Sequence, residues 1–416
     1  MSYRYRASPT ATQVEGLALH CQHARYVWNL ACEQQSYYAV AGRVSRPPNS
    51  ASRFRQLAEA RAEFDWLAAG SSSVQQQALR DWDQALRNWL THRSHRRPSW
   101  RKAGRDEGCC VRDVHVRRLT RRWAAVFVPK VGWLRFRLSR PLPVTTGMAR
   151  ITCDRAGRWH VSFTAAQPAV ARESTGSAVG IDRGVAVTLA TSDGQHHHLP
   201  HSGKADRKAR TLAARMSRQR RGSHRRTATK QALATLTARA ADRRKDWVEK
   251  TSTRLVRAHD VIVFEDLRVT NMVRKPAAKP DPDNAAAFLP NRARAKAGLN
   301  RSIHRSCWGL LARRVEDKAS ASGVTVVTVN PAHSSTECRV CGHTQPGNRE
   351  SQTVFRCLAC GHQAHADTHA AQVILARGLA APRPPQDMGQ DPPPGGSARG
   401  KPEPSVARTT RSQAAA

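Results

Sequence analysis

The stretch CLACGHQAHADTHAAQVILA (residues 357–376) places two closely spaced cysteines shortly before an aspartate and a helix-like apolar pattern. Two cysteines separated by two residues form a knuckle that offers both thiolates to one metal ion. Such a knuckle needs no carboxylate where the chain leaves it. Asp367 therefore suggests that the cysteine pair is attached to an element that performs chemistry.

A second cysteine pair completes a metal-binding pattern. The four cysteines are Cys338, Cys341, Cys357 and Cys360. Fifteen residues separate the two CxxC pairs, which fits the spacing of zinc ribbons. Four thiolates close a tetrahedral site with no open position, so we expect one structural Zn²⁺. The nearby histidines are not needed as ligands: His343, His362 and His365.

The charge of the chain indicates its partner. The 416 residues carry a formal net charge of +38, from 69 Lys and Arg against 31 Asp and Glu. Charge on this scale implies a polyanion, and nucleic acid is the first candidate. An anionic membrane is the second, but the apolar runs are far too short to span a bilayer. The start of the sequence does not read as a signal peptide, so a reducing compartment and metal binding are expected rather than disulfides.

Three acids occur at positions where the presence of a carboxylate has to be explained. Asp182 lies in the middle of the predicted strand AVGIDRGVAV (178–187), where burial is costly unless a partner is present. Glu265 ends an apolar run that is typical of a strand buried on both faces. Asp367 opens a predicted helix. Each acid also has a simpler interpretation, as a satisfied Asp near a turn or as an N-cap.

Taken together, the three acids predict a second kind of metal site. Open α/β sheets place such residues at the ends of strands, where carboxylates can converge. Convergent carboxylates repel each other unless divalent cations neutralise them. Two Mg²⁺ ions would do so and would promote hydrolysis of a phosphodiester. Since Mg²⁺ prefers oxygen and Zn²⁺ prefers thiolates, we expect two distinct sites.

The first half of the chain predicts a β-barrel interrupted by helices. Residues 1–10 hold a short alternating strand, and strands return over 105–172, with hairpin turns at 130–132 and 154–157. Residues 11–104 follow a helical period instead. We therefore expect a small barrel domain with a helical insertion.

Three features of this architecture have alternative interpretations. One helix carries an apolar stripe that is more typical of a core than of a base-stacking surface: Leu79, Trp82, Leu86, Trp89 and Leu90. Trp100, in the basic loop 93–105, is either a base-stacking residue or a buried anchor. The helical run 204–226 holds ten Lys and Arg and a single acid, which is a solvated face or a phosphate-binding one.

The second half alternates strands and helices and predicts an α/β domain. It comprises residues 177–335 and 362–380, and the cysteine pairs are inserted at 336–361. A single helix is expected over about 298–322. The tail, 381–416, is rich in Pro, Gly and polar residues, so we expect it to be disordered.

Three ordered motifs carry a family resemblance. GIDRGVAVTLATSDG (180–194), VIVFEDLRVTNM (261–272) and SSTECRVCG…FRCLACGHQAHADTHAA (334–371) resemble the RuvC-like nuclease core of the TnpB (OrfB) "transposases" of insertion sequences. The similarity extends to the N-terminal segment, the barrel strands and the helix before the cysteines, and it covers about residues 3–380.

The resemblance implies an RNase H-like (RuvC) fold with an inserted zinc ribbon, and catalytic roles for Asp182, Glu265 and Asp367. It implies zinc ligation by the four cysteines. It also implies a protein that carries a guide RNA and cleaves double-stranded DNA beside a short motif, related to type V CRISPR effectors and without a small-molecule substrate. Two departures stand out: His369 occupies the usual Asn position, where it can still hydrogen-bond near the metals, and Arg183 replaces a commonly apolar residue.

The leading hypothesis is an RNA-guided, Mg²⁺-dependent DNA endonuclease of an insertion sequence, linked to DNA transposition and acting in the bacterial cytoplasm at the nucleoid. One alternative is a non-cleaving RNA-guided repressor. Another is a compact type V CRISPR effector, which a repeat array beside the gene would indicate. A transposase that joins strands itself would need a Tyr and a His pair, but the tyrosine nearest to His196–His198 is Tyr38. These histidines are expected in an exposed turn or edge strand.

Overall fold

The chain forms two main sheets, each with its own core. A computed structural model describes residues 2–38, 47–105, 107–143, 146–200 and 202–380. The tail predicted to be disordered, 381–416, lies outside the described residues. Within the described ranges, no helix has the length and apolar content needed to cross a bilayer.

The first sheet contains seven strands: β1 (Ser2–Ala7), β2 (Gly108–Arg112), β3 (Val116–Arg118), β4 (Trp123–Val128), β5 (Gly132–Arg137), β6 (Met148–Cys153) and β7 (Trp159–Thr164). All its pairs are antiparallel, and their order is β2-β6-β7-β1-β5-β4-β3. The described residues show no pairing between the end strands β2 and β3. Closure into a barrel therefore stays a prediction.

Alternating burial fixes the inner face of this sheet. Three rings with centroids 5.3–6.0 Å apart lie at its centre: Tyr5, Phe136 and Phe163. Both predicted hairpin turns are confirmed. Lys130 and Gly132 have φ values of 61° and 84°, and Gly157 has a φ of 71°. The Gly157 amide donates to the carbonyl of Asp154 at 2.8 Å, which closes the second turn.

Four helices connect β1 to β2: α1 (Ala11–Tyr38), α2 (Ser50–Glu63), α3 (Asp65–Ala68) and α4 (Ser72–Thr91). The apolar stripe on α4 is a core element only in its first half. Leu79 and Trp82 are buried, whereas Leu90 is 67% exposed. Leu86 is partly buried against the same core, so burial of the stripe decreases toward the end of α4.

The second sheet has five strands: β8 (Ala178–Asp182), β9 (Leu189–Thr191), β10 (His196–His197), β11 (Val261–Glu265) and β14 (Thr325–Val329). Their order is β10-β9-β8-β11-β14, and β8, β11 and β14 are parallel. The prediction that β11 is buried on both faces is confirmed, since Ile262 and Val263 are fully buried. β10 is an edge strand, which confirms the placement of His196 and His197.

The helices of this half are α5 (Gly203–Arg218), α6 (His224–Ala258), α7 (Val269–Met272), α8 (Ala293–Arg305), α9 (Trp308–Ala321) and α10 (Ala366–Ala380). Of these, α6 and α9 cover one face of the sheet and α10 covers the other. A hairpin of β12 (Lys279–Asp281) and β13 (Asn284–Leu289) lies between α7 and α8. Ile181 and Phe264 pack with residues of α6 and α9 on one face, and Val263 packs with Ile374 of α10 on the other.

Two predicted elements were wrong in their extent. β8 ends at Asp182 instead of continuing past it, because the chain turns tightly after this residue. The turn is so close that a Cβ on Gly184 would lie 2.7 Å from the Val187 carbonyl oxygen. The helix predicted over about 298–322 is two helices. Cys307 between them has a φ of 57°, a left-handed conformation that interrupts a helix.

The cysteine segment follows β14 and leads directly into α10. It contains a short 3₁₀ turn (Pro346–Asn348) and a two-stranded sheet of β15 (Val354–Arg356) and β16 (Gln363–His365). β15 and β16 are antiparallel. β16 ends one residue before α10 begins, so the metal-binding pattern and Asp367 share a continuous piece of chain.

Candidate functional site

Asp182 and Glu265 end neighbouring parallel strands. The register pairs Val263 with Gly180 and Phe264 with Ile181, so the next step along β8 and β11 brings Asp182 level with Glu265. Adjacent strands lie about 4.8 Å apart, and residues in register project from the same face. The two carboxylates therefore leave the same edge of the sheet on the same side.

Two glycines bring α10 onto that face. A Cβ on Gly180 would lie 2.2 Å from the Ala371 carbonyl oxygen and 2.6 Å from the Leu375 amide nitrogen. A Cβ on Gly378 would lie 2.4 Å from a methyl carbon of Val263. Because neither glycine has a side chain, the helix backbone packs directly against β8 and β11. The first turn of α10 then lies over the two strand-end acids.

Asp367 occupies that first turn, and it is 9% exposed. The Arg349 guanidinium, from the cysteine segment, donates to Asp367 Oδ1 at 2.8 Å. Glu265, 6% exposed, accepts a hydrogen bond from the Ser334 hydroxyl at 2.6 Å. Arg183 is buried beside it and donates to the Glu265 backbone carbonyl. Each buried acid thus has one polar partner in the absence of a cation.

The electrostatics of the site reflect its buried acids. Burial, together with the nearby carboxylates of Glu265 and Asp367, raises the pKa of Asp182 to about 7, against the opposing charge of Arg349. Burial also raises the pKa of Glu265 above its usual value, while the Ser334 hydrogen bond and Arg183 oppose that shift. The effect of both Glu265 and Asp367 on Asp182 shows that the two acids lie close to it in space.

The four cysteines form a much tighter group. Their Sγ atoms all lie within 4.8 Å of one another, and no other group of three or more His, Cys, Asp or Glu in the described residues meets that criterion. The Sγ atoms of Cys338 and Cys360 are 3.7 Å apart, and those of Cys341 and Cys357 are 3.5 Å apart. The structure therefore brings the predicted cysteines together as a possible metal site, and it groups the three acids more loosely.

Matching backbone turns build the two cysteine knuckles. Gly342 and Gly361 have φ values of 74° and 71°, so glycine relieves the turn in both, as predicted. Their amides donate to the carbonyls of Cys338 and Cys357 at 2.8 and 3.0 Å. The fully buried Asn348 joins the knuckles: its side chain donates to the Thr336 and His343 carbonyls and accepts from the Leu358 amide.

His369 faces the cysteine segment, so the expected hydrogen bond near the acids was wrong. Its ring stacks on Phe355, with centroids 3.7 Å apart and planes 18° apart. Its Nε2 lies 3.0 Å from the Glu337 carbonyl oxygen. Residues two apart on a helix point in different directions, so α10 directs Asp367 to the strand-end acids and His369 to the cysteine segment.

Sequence reasoning missed the polar partners of the acids. Arg349 and Ser334 stand in loops without a periodic pattern, and only the fold brings them to Asp367 and Glu265. The motif in which Ser334 lies was recognised for its cysteines. The one available signal for Ser334 was that a small polar residue stands at the start of that motif.

Comparisons with known proteins cover most of the chain. Three family models match: "Helix-turn-helix domain" over residues 1–42, "Probable transposase" over 160–275, and "Cas12f1-like, TNB domain" over 308–374. The first two belong to the OrfB proteins of the IS605 group. The described part of residues 1–42 forms β1 and α1, a strand and one long helix.

Two relatives match over nearly their full length. The "Putative RNA-guided DNA endonuclease InsQ" of Escherichia coli (strain K12) is 31% identical over 91% of this chain and 92% of its own. A "Putative RNA-guided DNA endonuclease" of Streptomyces pristinaespiralis is 31% identical over 91% of this chain and 90% of its own. A solved Cas12f1–sgRNA–target DNA complex aligns over 86% of this chain and 81% of that one, at 11% identity and a TM-score of 0.47.

These matches define the class as the OrfB-type proteins of insertion sequences, with a Cas12f1-like segment around the cysteines. The chain belongs to the TnpB (OrfB) family.

Proposed function

We propose that this protein is an RNA-guided DNA endonuclease that hydrolyses phosphodiester bonds at Asp182, Glu265 and Asp367. One observation carries the proposal: two strand-end acids and a helix-borne acid lie at one edge of the second sheet, where burial and the charges of Glu265 and Asp367 raise the pKa of Asp182 to about 7. A cluster of this kind in a cleft-forming α/β sheet is typical of a catalytic site.

The strand order supports an RNase H-like core of the RuvC type. In chain order the five strands are β8, β9, β10, β11 and β14, and in space they read third, second, first, fourth, fifth. The first three strands are antiparallel and the last two run parallel to the first. Asp182 and Glu265 then stand at the carboxyl ends of the adjacent strands β8 and β11, where α/β sheets bind their ligands.

The residues present suit two different metals. Carboxylate oxygens are hard ligands that fit Mg²⁺, so we assign Asp182, Glu265 and Asp367 to catalytic Mg²⁺, with two ions expected. When bound, the cations activate water and stabilise the leaving oxygen. The sulfur separations of 3.5 and 3.7 Å fit tetrahedral Zn²⁺, since Zn–S bonds of about 2.3 Å place sulfurs roughly 3.8 Å apart.

The chain's own side chains prepare the catalytic site. Ser334 holds the Glu265 carboxylate in place through the 2.6 Å hydrogen bond. Arg349 offsets the negative charge of Asp367 through their ion pair, and its guanidinium would offer hydrogen-bond donors to a phosphate bound at the site. Burial of Glu265 and Asp367 excludes water from both carboxylates, which strengthens every electrostatic interaction there.

Guide RNA and double-stranded DNA are the proposed partners. The net charge of +38 requires a polyanion, and the two long relatives are named as RNA-guided DNA endonucleases. The basic run 204–226 favours phosphate contacts, because α5 buries no residue and directs most of its charges to solvent. The link to DNA transposition and the action at the bacterial nucleoid belong to the same proposal.

Plasmid cleavage tests the proposal. The protein is purified with its co-expressed RNA and offered matched plasmid targets in Mg²⁺. Asp182→Ala should lower the cleavage rate by roughly 10³-fold or more, because several kcal/mol of metal-dependent stabilisation is lost. Asp266→Ala is the matched control, since Asp266 is an exposed acid beside Glu265, and it should retain activity.

Undiminished cleavage by Asp182→Ala would contradict the proposed site. Specific DNA binding by the wild type without any nicking would favour the non-cleaving repressor instead.

A further inference from the structure

Trp100 is an exposed tryptophan on a rigid loop. Its side chain is 57% exposed, which excludes the buried-anchor interpretation. The residues on both sides of it are tied to α1: the Trp28 indole donates to the Ser99 carbonyl at 2.9 Å, and the Asn29 amide group exchanges two hydrogen bonds with the Arg101 backbone, at 2.7 and 3.0 Å. The loop therefore presents the indole in a defined position.

Trp100 separates two cavities of different character, each of about 630 Å³, a volume typical of ligand pockets. The basic cavity is lined by five cations: Arg97, Arg101, Lys102, Arg105 and Arg150. Two acids near this cavity are already paired, Asp81 with Arg150 and Glu107 with Arg25.

The aromatic cavity lies on the other side of Trp100, against α1. Trp66 and Tyr26 line it, with ring centroids 5.0 Å apart, and they are 48% and 45% exposed. Gln22 adds an amide group from the same helix, whereas the Asn29 amide lines the cavity but is bonded to the Arg101 backbone. This cavity also holds one cation and one acid, Arg25 and Glu33, so its net charge is small.

An indole between a cationic compartment and an aromatic one matches the two halves of a nucleotide. Phosphates bind where Lys and Arg are clustered, and unpaired bases stack on aromatic side chains whose neighbours can hydrogen-bond their edges. A rigid aromatic residue loses little conformational entropy on binding, which favours this use.

We propose that Trp100 stacks on an unpaired nucleobase, with the base in the aromatic cavity and its phosphate in the basic cavity. This goes further than the proposed function and rests on it, because the nucleotide belongs to the guide RNA or to the target DNA. It adds a contact to the face of a base at the junction of the helical insertion and the first sheet.

A substitution series at one position tests the stacking. Full-length Trp100→Phe, Trp100→Leu and Trp100→Ala are compared for binding of single-stranded RNA and DNA oligonucleotides that contain 5-iodouracil, and the photo-crosslinked peptide is identified. Phe should bind within about twofold of wild type, and Leu and Ala should bind roughly 5- to 100-fold more weakly. Phe127→Ala, an exposed aromatic that lines neither cavity, should behave as wild type.

The outcomes separate this inference from the proposed function. A crosslink to Trp100 from the RNA probe, the DNA probe or both supports the inference and identifies the source of the base. Equal binding by Leu and Phe, or wild-type binding and crosslinking by Ala, overturns it. If the wild type cleaves plasmid in an Asp182-dependent manner while Trp100→Ala binds normally, this inference alone fails. If the wild type never cleaves, the proposed function fails.

Discussion

The cysteine site and the acid site differ in how the chain assembles them. The four cysteines come from one short segment, residues 338–360, in which two knuckle turns joined by Asn348 place the sulfurs 3.5 and 3.7 Å apart in two pairs. The three acids span residues 182–367 and meet only because two strands pair and α10 packs on them through Gly180. Their carboxylates remain more widely spaced than the sulfurs.

This difference has a chemical meaning. A structural metal needs a closed, preformed cage, which short-range turns can supply. Catalytic cations must admit a substrate, so their ligands stand on separate elements and repel each other until the cations arrive. The ion pair of Arg349 with Asp367 and the raised pKa of Asp182 fit a site of this second kind.

Substitution of a zinc-ligand cysteine should have the largest effect on folding and on cleavage. Cys357→Ser should release the zinc and unfold the segment that leads into α10, because structural zinc supplies about 10 kcal/mol or more of folding free energy. We expect a loss of one zinc equivalent by elemental analysis and a fall in cleavage of at least about 100-fold. Cys307→Ser, outside the cluster, should retain both; retention of zinc and activity by Cys357→Ser would contradict the assignment.

A substitution at Gly180 should impair the acid site and leave the cysteine site intact. In Gly180→Val the new side chain meets the backbone of α10, so the helix must move and Asp367 moves with it. Overpacking of this kind costs about 1–3 kcal/mol, and we expect a lower melting temperature and roughly 10- to 100-fold slower cleavage with full zinc content. Gly309→Ala, where a Cβ meets open space, is the control. Normal cleavage by Gly180→Val would show that close packing of α10 is not required.

Local patterns predicted the cysteine site well. The paired spacing and the glycines were sufficient, because each knuckle depends on a few consecutive residues. The same holds for β11, whose apolar run ends at Glu265, and for the hairpin turns at Gly132 and Gly157. Motif order was enough to recognise the three acids, although nothing in the spacing of Asp182, Glu265 and Asp367 states that they meet.

Features set by tertiary packing could not be predicted. The end of β8 at Asp182 depends on a loop closing against the Val187 carbonyl. The break at Cys307 falls inside a continuous helical pattern. The direction of His369 depends on where Phe355 lies, and Phe355 reaches it only after the cysteine segment has folded.

The pH should affect the acid site and spare the cysteine site near neutrality. Asp182 must lose its proton to bind Mg²⁺, and its pKa is about 7 without cations. Apparent Mg²⁺ affinity should therefore rise with pH up to about 7 and fall by roughly tenfold for each unit below it.

The stability of the metal-free protein should change in the opposite direction. Between the ordinary pKa of an aspartate and 7, the folded state binds the proton more tightly than the unfolded state, so this contribution is lost as pH rises toward 7. Mg²⁺ titrations of the cleavage rate at several pH values measure the first effect, and melting temperatures of the metal-free protein at the same pH values measure the second. Arg349→Gln should move the transition to higher pH, since Arg349 lowers the pKa of Asp182; an unchanged Mg²⁺ requirement between pH 6 and 8 would contradict this account.

His369 should have the smallest effect. His369→Asn removes the stacking on Phe355, worth about 0.5–1.5 kcal/mol, and should lower the melting temperature slightly and cleavage a few-fold. Faster cleavage without loss of stability would show that the histidine acts at the acids instead.

The central claim is that Asp182, Glu265 and Asp367 hold the divalent cations that act on DNA. Anomalous scattering from Mn²⁺ in crystals of the protein bound to its RNA and target DNA tests it most directly. The account predicts Mn²⁺ peaks in contact with all three carboxylates and beside a DNA phosphate. Mn²⁺ peaks located elsewhere, with these three side chains unliganded, would contradict it.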